Sequence, residues 1–217
     1  MEIKNNKKTM APLLKDVAYQ FIKENILDEN FAPGQFLSER ELIEMLQMSK
    51  TPIKSALVRL ETEGFVTVSS KQGIIINDLS INRIADIYDL RIALETYICS
   101  QIVGRMSEEQ CQLIEKNLQD TEEKANQLEI KAFAKADHAF HLLLCEFSGN
   151  QEIYRVLLNY QDHLLRITLR HLKKDPHRMK LFWQEHVEIY NHLKKGDRKS
   201  IELIREHFQQ SKQKLLL

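Results

Sequence analysis

The sequence predicts a mainly α-helical protein with two parts. The first is a small domain of three helices and a β-hairpin, and the second is an antiparallel bundle of about six helices. Apolar residues recur at helical spacing along most of the 217 residues, whereas strand-like runs occur only between residues 65 and 77. Glycine and proline, which interrupt helices, number only 6 and 4, so long helices are expected.

The first domain is organised around two short helices with a tight connection. Ser38 and Glu41 have the spacing of a capping box at the start of the first helix. Ser49 is the expected N-cap of the second, Pro52 lies in its first turn, and Gly64 ends it. This arrangement is typical of a helix-turn-helix, whose second helix enters the DNA major groove, although an ordinary helical hairpin would give the same pattern. The outer face of the second helix carries Lys50, Thr51, Lys54, Ser55 and Arg59.

One more helix and a hairpin complete this domain. A helix is expected from Pro12 to about Asn25, and strand-like runs at 65–68 and 73–77 form a hairpin. A hairpin directly after a helix-turn-helix indicates a winged helix-turn-helix. At the hairpin tip, Lys71 suits phosphate contact and Gly73 suits close backbone approach.

The remaining chain is interpreted as one all-helical domain. We place the winged helix at residues 1–77, a linker at 78–80 and the helical domain at 81–217. Caps and glycines divide that domain into six helices. They run from Ile81 to about Arg105, Ser107 to about Asn126, about Glu129 to Phe147, Gln151 to about Lys173, Asp175 to Lys195, and Asp197 to about Leu215.

Composition limits the possible partners and location. The net charge is zero, so any affinity for DNA must come from the local placement of cations. No apolar run approaches the roughly 20 residues that span a bilayer, and the polar N-terminus is not a secretory signal. The three cysteines, Cys99, Cys111 and Cys145, are widely spaced and odd in number, as expected of reduced thiols. A cytoplasmic protein with no membrane association is predicted.

Four residues of the helical domain form a candidate metal site. Asp137 and His141 lie four residues apart, so they share a helix face, and His186 and His207 lie on two other helices. Three imidazoles and a carboxylate suit Zn²⁺, Ni²⁺, Fe²⁺ or Mn²⁺, with zinc the first expectation. From the spacing alone, structural or surface histidines are the alternative.

Three arginines are candidates for binding an anion. Arg166 and Arg170 lie one helical turn apart, where they would meet an effector carboxylate or simply face solvent. Arg91 and Glu95 have the i,i+4 spacing of a pair that stabilises the bundle.

At residues 12–210 the chain resembles the GntR family of bacterial transcription regulators, in the FadR-type subfamily with an FCD effector domain. The resemblance lies in FLSERELIEMLQMSKTPIKSALVRLETEGFV, then IADIYDLRIALE, DHAFHLLLCEFSGN and EHVEIYNHLKKGD. It implies a homodimer that binds a short palindromic operator in double-stranded DNA. It also implies a small-molecule effector, usually a carboxylate, that changes operator affinity.

The same resemblance assigns roles by motif position. It implies DNA contacts by Arg40, Ser49, Lys50, Thr51, Lys54 and the wing around Gly73. The positions of Asp137, His141, His186 and His207 match the metal ligands of the metal-binding FCD type, and Arg91 with Glu95 matches a family pair. Relatives commonly carry arginine where this chain has Lys50 and Lys54, so the common family operator is not assumed. Lysine is a flexible point charge without arginine's rigid fork.

The leading hypothesis is therefore a metabolite-responsive DNA-binding regulator, expected to act as a repressor and not as an enzyme. A metal-dependent enzyme acting on a small carboxylate and fused to a helix-turn-helix is the alternative, because the four ligands could leave a position open for water. A third possibility is a dimerisation module with a vestigial pocket.

Overall fold

The structure, a computed structural model, describes residues 12–69 and 73–216. The chain divides into two compact units, one ending at Asp78 and the other beginning at Leu79. The first contains helices and a small sheet, and the described part of the second contains only helices and their connections. The predicted mainly α fold class is confirmed.

The first unit is a winged helix-turn-helix. Its elements are α1 (Leu14–Leu27), β1 (Phe36–Leu37), α2 (Glu39–Leu46), α3 (Lys50–Thr62), β2 (Val66–Ser69) and β3 (Gly73–Ile76). Helices α1 and α2 both pack against α3. The buried core side chains recur at the helical spacing that the sequence shows, and include Ile22, Leu42, Ile53, Leu60 and Ile74.

The sheet has one more strand than the sequence predicted. Its order is β1-β3-β2, and Phe36 of β1 pairs with Ile75 of β3. Two residues are too few to show the alternation that marks a strand, so β1 left no pattern to read. Gly73 begins β3 at φ +84°, and a Cβ at this position would lie 2.7 Å from the carbonyl oxygen of Leu37. Because β1 leaves no room for a side chain at position 73, Gly73 has a structural role.

The two helix starts differ in how they are capped. At α2 the predicted capping box is confirmed: the Glu41 amide donates to Ser38 Oγ at 3.1 Å, and the Ser38 amide donates to Glu41 Oε2 at 2.6 Å. At α3, Ser49 holds the N-cap position in an extended conformation, but its side chain makes no capping hydrogen bond. The Ser49 hydroxyl is thus not committed to α3.

The second unit is a bundle of six helices within its described residues. They are α4 (Ile81–Ile102), α5 (Glu108–Asn126), α6 (Ile130–Phe147), α7 (Gln151–Lys174), α8 (Arg178–Lys194) and α9 (Lys199–Leu216). Helix α9 packs on α4 and α8, while α6 packs on α5 and α7. The centre of the bundle is apolar, with Ile114, Phe140, Leu193, Ile204 and Phe208 fully buried.

Helix α8 starts later than its predicted cap. The sequence placed the cap at Asp175 with Pro176 in the first turn, but the helix begins at Arg178. Asp175 instead forms a tighter turn, accepting the Arg178 amide on its carbonyl and the His177 amide on its carboxylate. The turn uses the three-residue hydrogen-bond spacing of a 3₁₀ turn, so the α-helix starts after it.

Helix α4 ends at Ile102, three residues before the predicted end. Val103 leaves the helical region, and Gly104 has φ +67° and donates its amide to the Leu193 carbonyl of α8. A Cβ on Gly104 would lie 3.0 Å from Cα of Gly196, so two glycines allow the ends of α4 and α8 to meet.

Candidate functional site

The outer face of α3 is the candidate DNA-contacting surface of the first unit. Ile53, Ala56, Leu57 and Leu60 bury the other face of the helix against the core. The predicted contacts Ser49, Lys50, Thr51 and Lys54 are all exposed. Their positions agree with a recognition helix that presents polar side chains to a major groove.

Acidic residues of α2 hold the cations of this surface. Glu39 lies 2.8 Å from Lys50 Nζ and 3.9 Å from Lys54 Nζ. Arg40, also a predicted contact, pairs with Glu44 at 2.8 Å and keeps 87% of its side chain exposed. Gly73 lies at the start of β3, whereas the predicted wing residue Lys71 is outside the described residues.

In the second unit, three of the four predicted metal ligands converge. One nitrogen from each of His141, His186 and His207 lies within 4.8 Å of the other two, and all three residues are buried. They come from α6, α8 and α9, so residues that are distant in sequence meet in the bundle. The His186 ring stacks on Phe140 with centroids 4.3 Å apart, which fixes its plane.

Asp137, the fourth predicted ligand, lies beside this cluster. Its Oδ1 is 3.7 Å from His186 Nε2, and the residue is 4% exposed. Among the described residues, neither ring nitrogen of His141 or His186 has a hydrogen-bond partner, and neither does Asp137 Oδ1. Buried polar atoms are nearly always paired in folded proteins. Several unpaired nitrogen and oxygen atoms in one place fit a divalent cation.

Two glutamates lie beside the cluster, and one of them orients a histidine ring. Glu185 Oε2 lies 2.6 Å from Nδ1 of His207 in a hydrogen bond, which leaves Nε2 of that ring as the available ligand atom. Glu95 Oε2 lies 2.7 Å from Nδ1 of His141, although their angles do not make a hydrogen bond. Carboxylates in this position fix the tautomer of metal-binding histidines.

The protonation of the cluster suits a metal. Burial lowers the pKa of His141 and His186 well below the usual 6.5, so both rings are neutral, which is the form that binds metal. Burial also raises the pKa of Asp137 to about 6, although the nearby His207 opposes this shift. A cation would favour the carboxylate form of Asp137.

Arg91 lies next to the cluster in a buried position. Its Nε donates to Glu95 Oε1 at 2.7 Å, and its guanidinium lies 4.1 Å from the ring centre of Phe208. Its Nη2 has no hydrogen-bond partner among the described residues. Two cavities of about 10 Å³ border Arg91, one reaching His141 and the other Asp137 and His207. Each has room for about one water molecule.

A larger groove adjoins the first cavity. It has a volume of about 350 Å³ between α6 and α7, and its lining includes Lys135 and Asp162. The groove and the small cavity share His138, Leu142 and Gln161 in their walls.

Comparisons with known proteins agree with both halves of this description. The model of the FCD domain matches residues 86–210, and that of the bacterial regulatory proteins of the gntR family matches residues 14–76. The chain belongs to the GntR family. Its members are transcription regulators that bind DNA through the helix-turn-helix, so this chain is a DNA-binding transcription regulator and the enzyme alternative is set aside.

Individual relatives span most of the chain. The HTH-type transcriptional regulator YdhC of Bacillus subtilis is 27% identical, over 84% of this chain and 81% of its own length. The HTH-type transcriptional repressor RspR of Escherichia coli is 25% identical, over 85% and 80%. A transcriptional regulator GntR from Rhodococcus sp. RHA1 superposes with a TM-score of 0.79 at 18% identity, over 93% and 97%, and shows that the two proteins share a fold.

The other two predicted effector arginines of this GntR-family protein, Arg166 and Arg170, lie on α7, whereas Arg91 lies on α4. Arg170 is exposed and donates from Nη1 to the Leu79 carbonyl at 3.4 Å. Arg166 is partly buried, and neither arginine lines the two small cavities beside Arg91. Of the three predicted arginines, the structure brings Arg91 alone to those cavities.

Two glutamates were not predicted from the sequence: Glu185, which supports the histidine cluster, and Glu39, which contacts the lysines on the outer face of α3. Glu185 immediately precedes His186, and Glu39 immediately precedes Arg40, so both were adjacent to selected residues. Their roles depend on contacts across helices, which spacing along one helix does not reveal. His138, next to Asp137 in sequence, lies outside the three-histidine cluster and contacts Thr168 of α7 at 3.2 Å. None of the helices in the described residues is long and apolar enough to cross a membrane.

Proposed function

We propose that this GntR-family protein is a homodimeric repressor that loses or gains operator affinity when a small carboxylate binds in its helical domain. The observation that supports this proposal best is the group of unpaired buried atoms around His141, His186 and Asp137, beside the unpaired Arg91 Nη2. Repression is proposed by analogy with RspR, which is named a repressor.

Asp137, His141, His186 and His207 would hold the divalent metal. Three imidazole nitrogens and one carboxylate oxygen suit zinc, nickel, iron(II) or manganese, and zinc is expected first. When bound, the metal would supply positive charge for a carboxylate ligand. Glu185 would keep the His207 ring in place, and Phe140 would keep the His186 ring in place, so the donor atoms are positioned in advance.

Arg91 would orient the effector. Its Nη2 has no hydrogen-bond partner in the part of the chain that the structure describes, its Nε donates to Glu95, and its guanidinium lies over the ring of Phe208. An arginine fixed in this way binds a carboxylate through directional, charge-assisted hydrogen bonds. The two small cavities on either side of Arg91 do not accommodate more than a few atoms, so we propose that the effector enters from the groove between α6 and α7. The volume of this groove, about 350 Å³, falls in the range of small-molecule sites.

The control of DNA binding follows from linkage. A carboxylate that prefers one arrangement of the dimer changes operator affinity by the ratio of its affinities for the two arrangements. Operator-bound protein must then show the reciprocal change in affinity for the carboxylate.

The test uses the full-length protein and a palindromic duplex that the protein enriches from a random-sequence pool. Operator affinity is measured with zinc-loaded protein against a panel of small mono- and dicarboxylates, and again after zinc is removed by a chelator. We expect at least one carboxylate to change the Kd about 5- to 150-fold in the zinc-loaded protein only. A panel-wide absence of any change, with zinc bound, would contradict control by a carboxylate. A dimer is expected by sedimentation at the same protein concentration, and a monomer would contradict the homodimer.

A further inference from the structure

Glu39, the first residue of α2, is not one of the predicted DNA contacts, but it lies beside two of them. Its two carboxylate oxygens face two different lysines of α3, with Oε2 2.8 Å from Lys50 Nζ and Oε1 3.9 Å from Lys54 Nζ. The two lysines are four residues apart and therefore lie on one face of the helix. A single carboxylate thus lies within hydrogen-bond distance of one ammonium group of the candidate DNA-contacting surface and within ion-pair distance of the other.

Fold stability does not account for this arrangement. The side chains of Lys50 and Lys54 are 60% and 57% exposed, and ion pairs at such exposure contribute little to folding. The capping hydrogen bonds at the start of α2 are made by Ser38 and Glu41, and Glu39 adds only a first-turn negative charge, for which its contacts with the two lysines are not needed. A carboxylate near the recognition helix also repels phosphates, so Glu39 lowers the general affinity for DNA.

The benefit of Glu39 lies in selectivity. A lysine has a long flexible stem, and an unrestrained ammonium reaches phosphates as easily as base edges. Phosphate contacts carry no sequence information, whereas contacts with guanine O6 and N7 do. Restraining both lysines reduces the number of positions from which they reach the backbone. It also lowers the conformational entropy lost when they meet a base edge.

We propose that Glu39 is a specificity-determining residue that acts through Lys50 and Lys54. It positions the two ammonium groups for base edges and weakens binding to DNA of the wrong sequence. The proposal rests on DNA recognition by α3, and it does not depend on the metal or the effector.

The test compares Glu39→Gln with wild-type protein on two duplexes at several salt concentrations. One duplex is enriched by the wild-type protein from a random-sequence pool, and the other is a shuffled duplex of the same composition. The substitution removes the charge and keeps the shape. We expect binding to the shuffled duplex to tighten, and the ratio of the two affinities to fall about tenfold, at the lower end of the discrimination that one base contact gives. The salt dependence on the shuffled duplex should steepen by about one ion, because a released lysine contacts a phosphate.

A charge-matched control separates a local role from a general electrostatic one. Glu24→Gln removes the same charge from α1, where Glu24 accepts a hydrogen bond from Gln20. This control should leave the affinity ratio unchanged. An equal fall in the ratio for both variants would overturn the proposal, because Glu39 would then act only through net charge. An unchanged ratio in Glu39→Gln would also overturn it.

A second comparison tests the route through the lysines. In a Lys50→Ala, Lys54→Ala background, Glu39→Gln should no longer alter the ratio, since the residues that it positions are absent. The same fall in both backgrounds would overturn positioning and show that Glu39 contacts DNA by itself. Failure of the wild-type protein to enrich any duplex would refute sequence recognition itself, and this proposal with it. If the wild-type protein does enrich a duplex and only the Glu39→Gln results disagree with expectation, the proposal for Glu39 fails and sequence recognition by α3 stands.

Discussion

The face of α3 and the histidine cluster use polar side chains in opposite surroundings. Lys50 and Lys54 are more than half exposed and share an acidic partner. His186 is fully buried, and among the described residues neither of its nitrogens has a hydrogen-bond partner. Water solvates an exposed charge, so its placement alone does not require a ligand. A buried polar atom without a partner costs about 1–3 kcal/mol, so the cluster is stable only if something compensates.

The two regions differ in what indicates their function. DNA binding follows from membership of the GntR family, and the exposed surface of α3 is merely compatible with it. The metal site is supported by the geometry itself, through buried atoms that are unpaired. All eight histidines lie between residues 138 and 207, so changes in metal or pH should act on the helical unit. The single tryptophan, Trp183, is in α8 and reports on that unit.

The largest expected effect is stabilisation by metal. At a free Zn²⁺ concentration about 1,000 times the Kd, the wild-type free energy of unfolding should rise by about 4 kcal/mol over the stripped protein. His186→Ala should show no such rise, because it lacks a central ligand. Thermal unfolding followed by Trp183 fluorescence measures both.

His192→Ala provides the matched control on the same helix. His192 is partly exposed, bonds to Asp197, and lies outside the cluster, six residues after His186 on α8. Zn²⁺ should stabilise this variant as much as the wild type. Equal stabilisation of His186→Ala would mean that the zinc binds elsewhere.

The next effect in size concerns pH in the stripped protein. Burial holds the pKa of His138 and His171 at about 3 and that of His141 and His186 well below 6.5. Below pH 6.5 the unfolded chain therefore binds more protons than the folded one. The free energy of unfolding falls as the pH is lowered. Between pH 7 and 5.5 each imidazole should cost about 1 kcal/mol.

Asp137 opposes this trend. Its pKa is raised to about 6, so as the pH falls Asp137 takes up a proton in the folded state before it does so in the unfolded state. This raises the free energy of unfolding by less than about 1 kcal/mol over the same range. The net result is a loss of stability that Trp183 fluorescence should detect. A stability that is constant from pH 7 to 5.5 would show that the imidazoles are not held neutral.

How much the sequence predicted depended on whether a feature is local. The capping box at Ser38 and the core face of α3 follow from spacing within one element, and the structure has both where they were expected. Strand β1 was missed because its two residues acquire their structure from pairing with β3. The start of α8 was misplaced because Pro176 stabilises a tight turn as readily as a first helical turn.

The candidate site shows the same limit. Spacing placed Asp137 and His141 on one face, and the resemblance to a family favoured a shared metal site with His186 and His207 over structural or surface histidines. The supporting contacts of Glu185 and Glu39 join neighbouring helices, and nothing in the spacing along one helix encodes them.

A smaller effect is expected from the support of His207. Glu185→Gln removes the carboxylate that fixes the ring, so the affinity for Zn²⁺ should fall about 10- to 100-fold while the fold remains. Competition with a chelator of known affinity measures the change. Glu188→Gln, at a 54% exposed position on the same helix, should retain the wild-type affinity. Unchanged affinity in Glu185→Gln would remove Glu185 from the site.

The smallest effect on stability is expected on α3. Lys54→Ala should weaken binding to the enriched duplex about 5- to 150-fold, and change the free energy of unfolding by less than about 0.5 kcal/mol, because Lys54 is exposed. Affinity measurements on the enriched and shuffled duplexes separate the possible roles. Equal weakening on both would make Lys54 a phosphate contact and not a reader of bases.

If the buried cluster is a metal site, it binds one divalent metal per chain. The direct measurement is equilibrium dialysis of chelator-stripped wild-type protein and His186→Ala against Zn²⁺, followed by elemental analysis. We expect one zinc to be retained per wild-type chain and none at this site in His186→Ala. Wild-type protein that retains no zinc, or a variant that retains as much as the wild type, would contradict it.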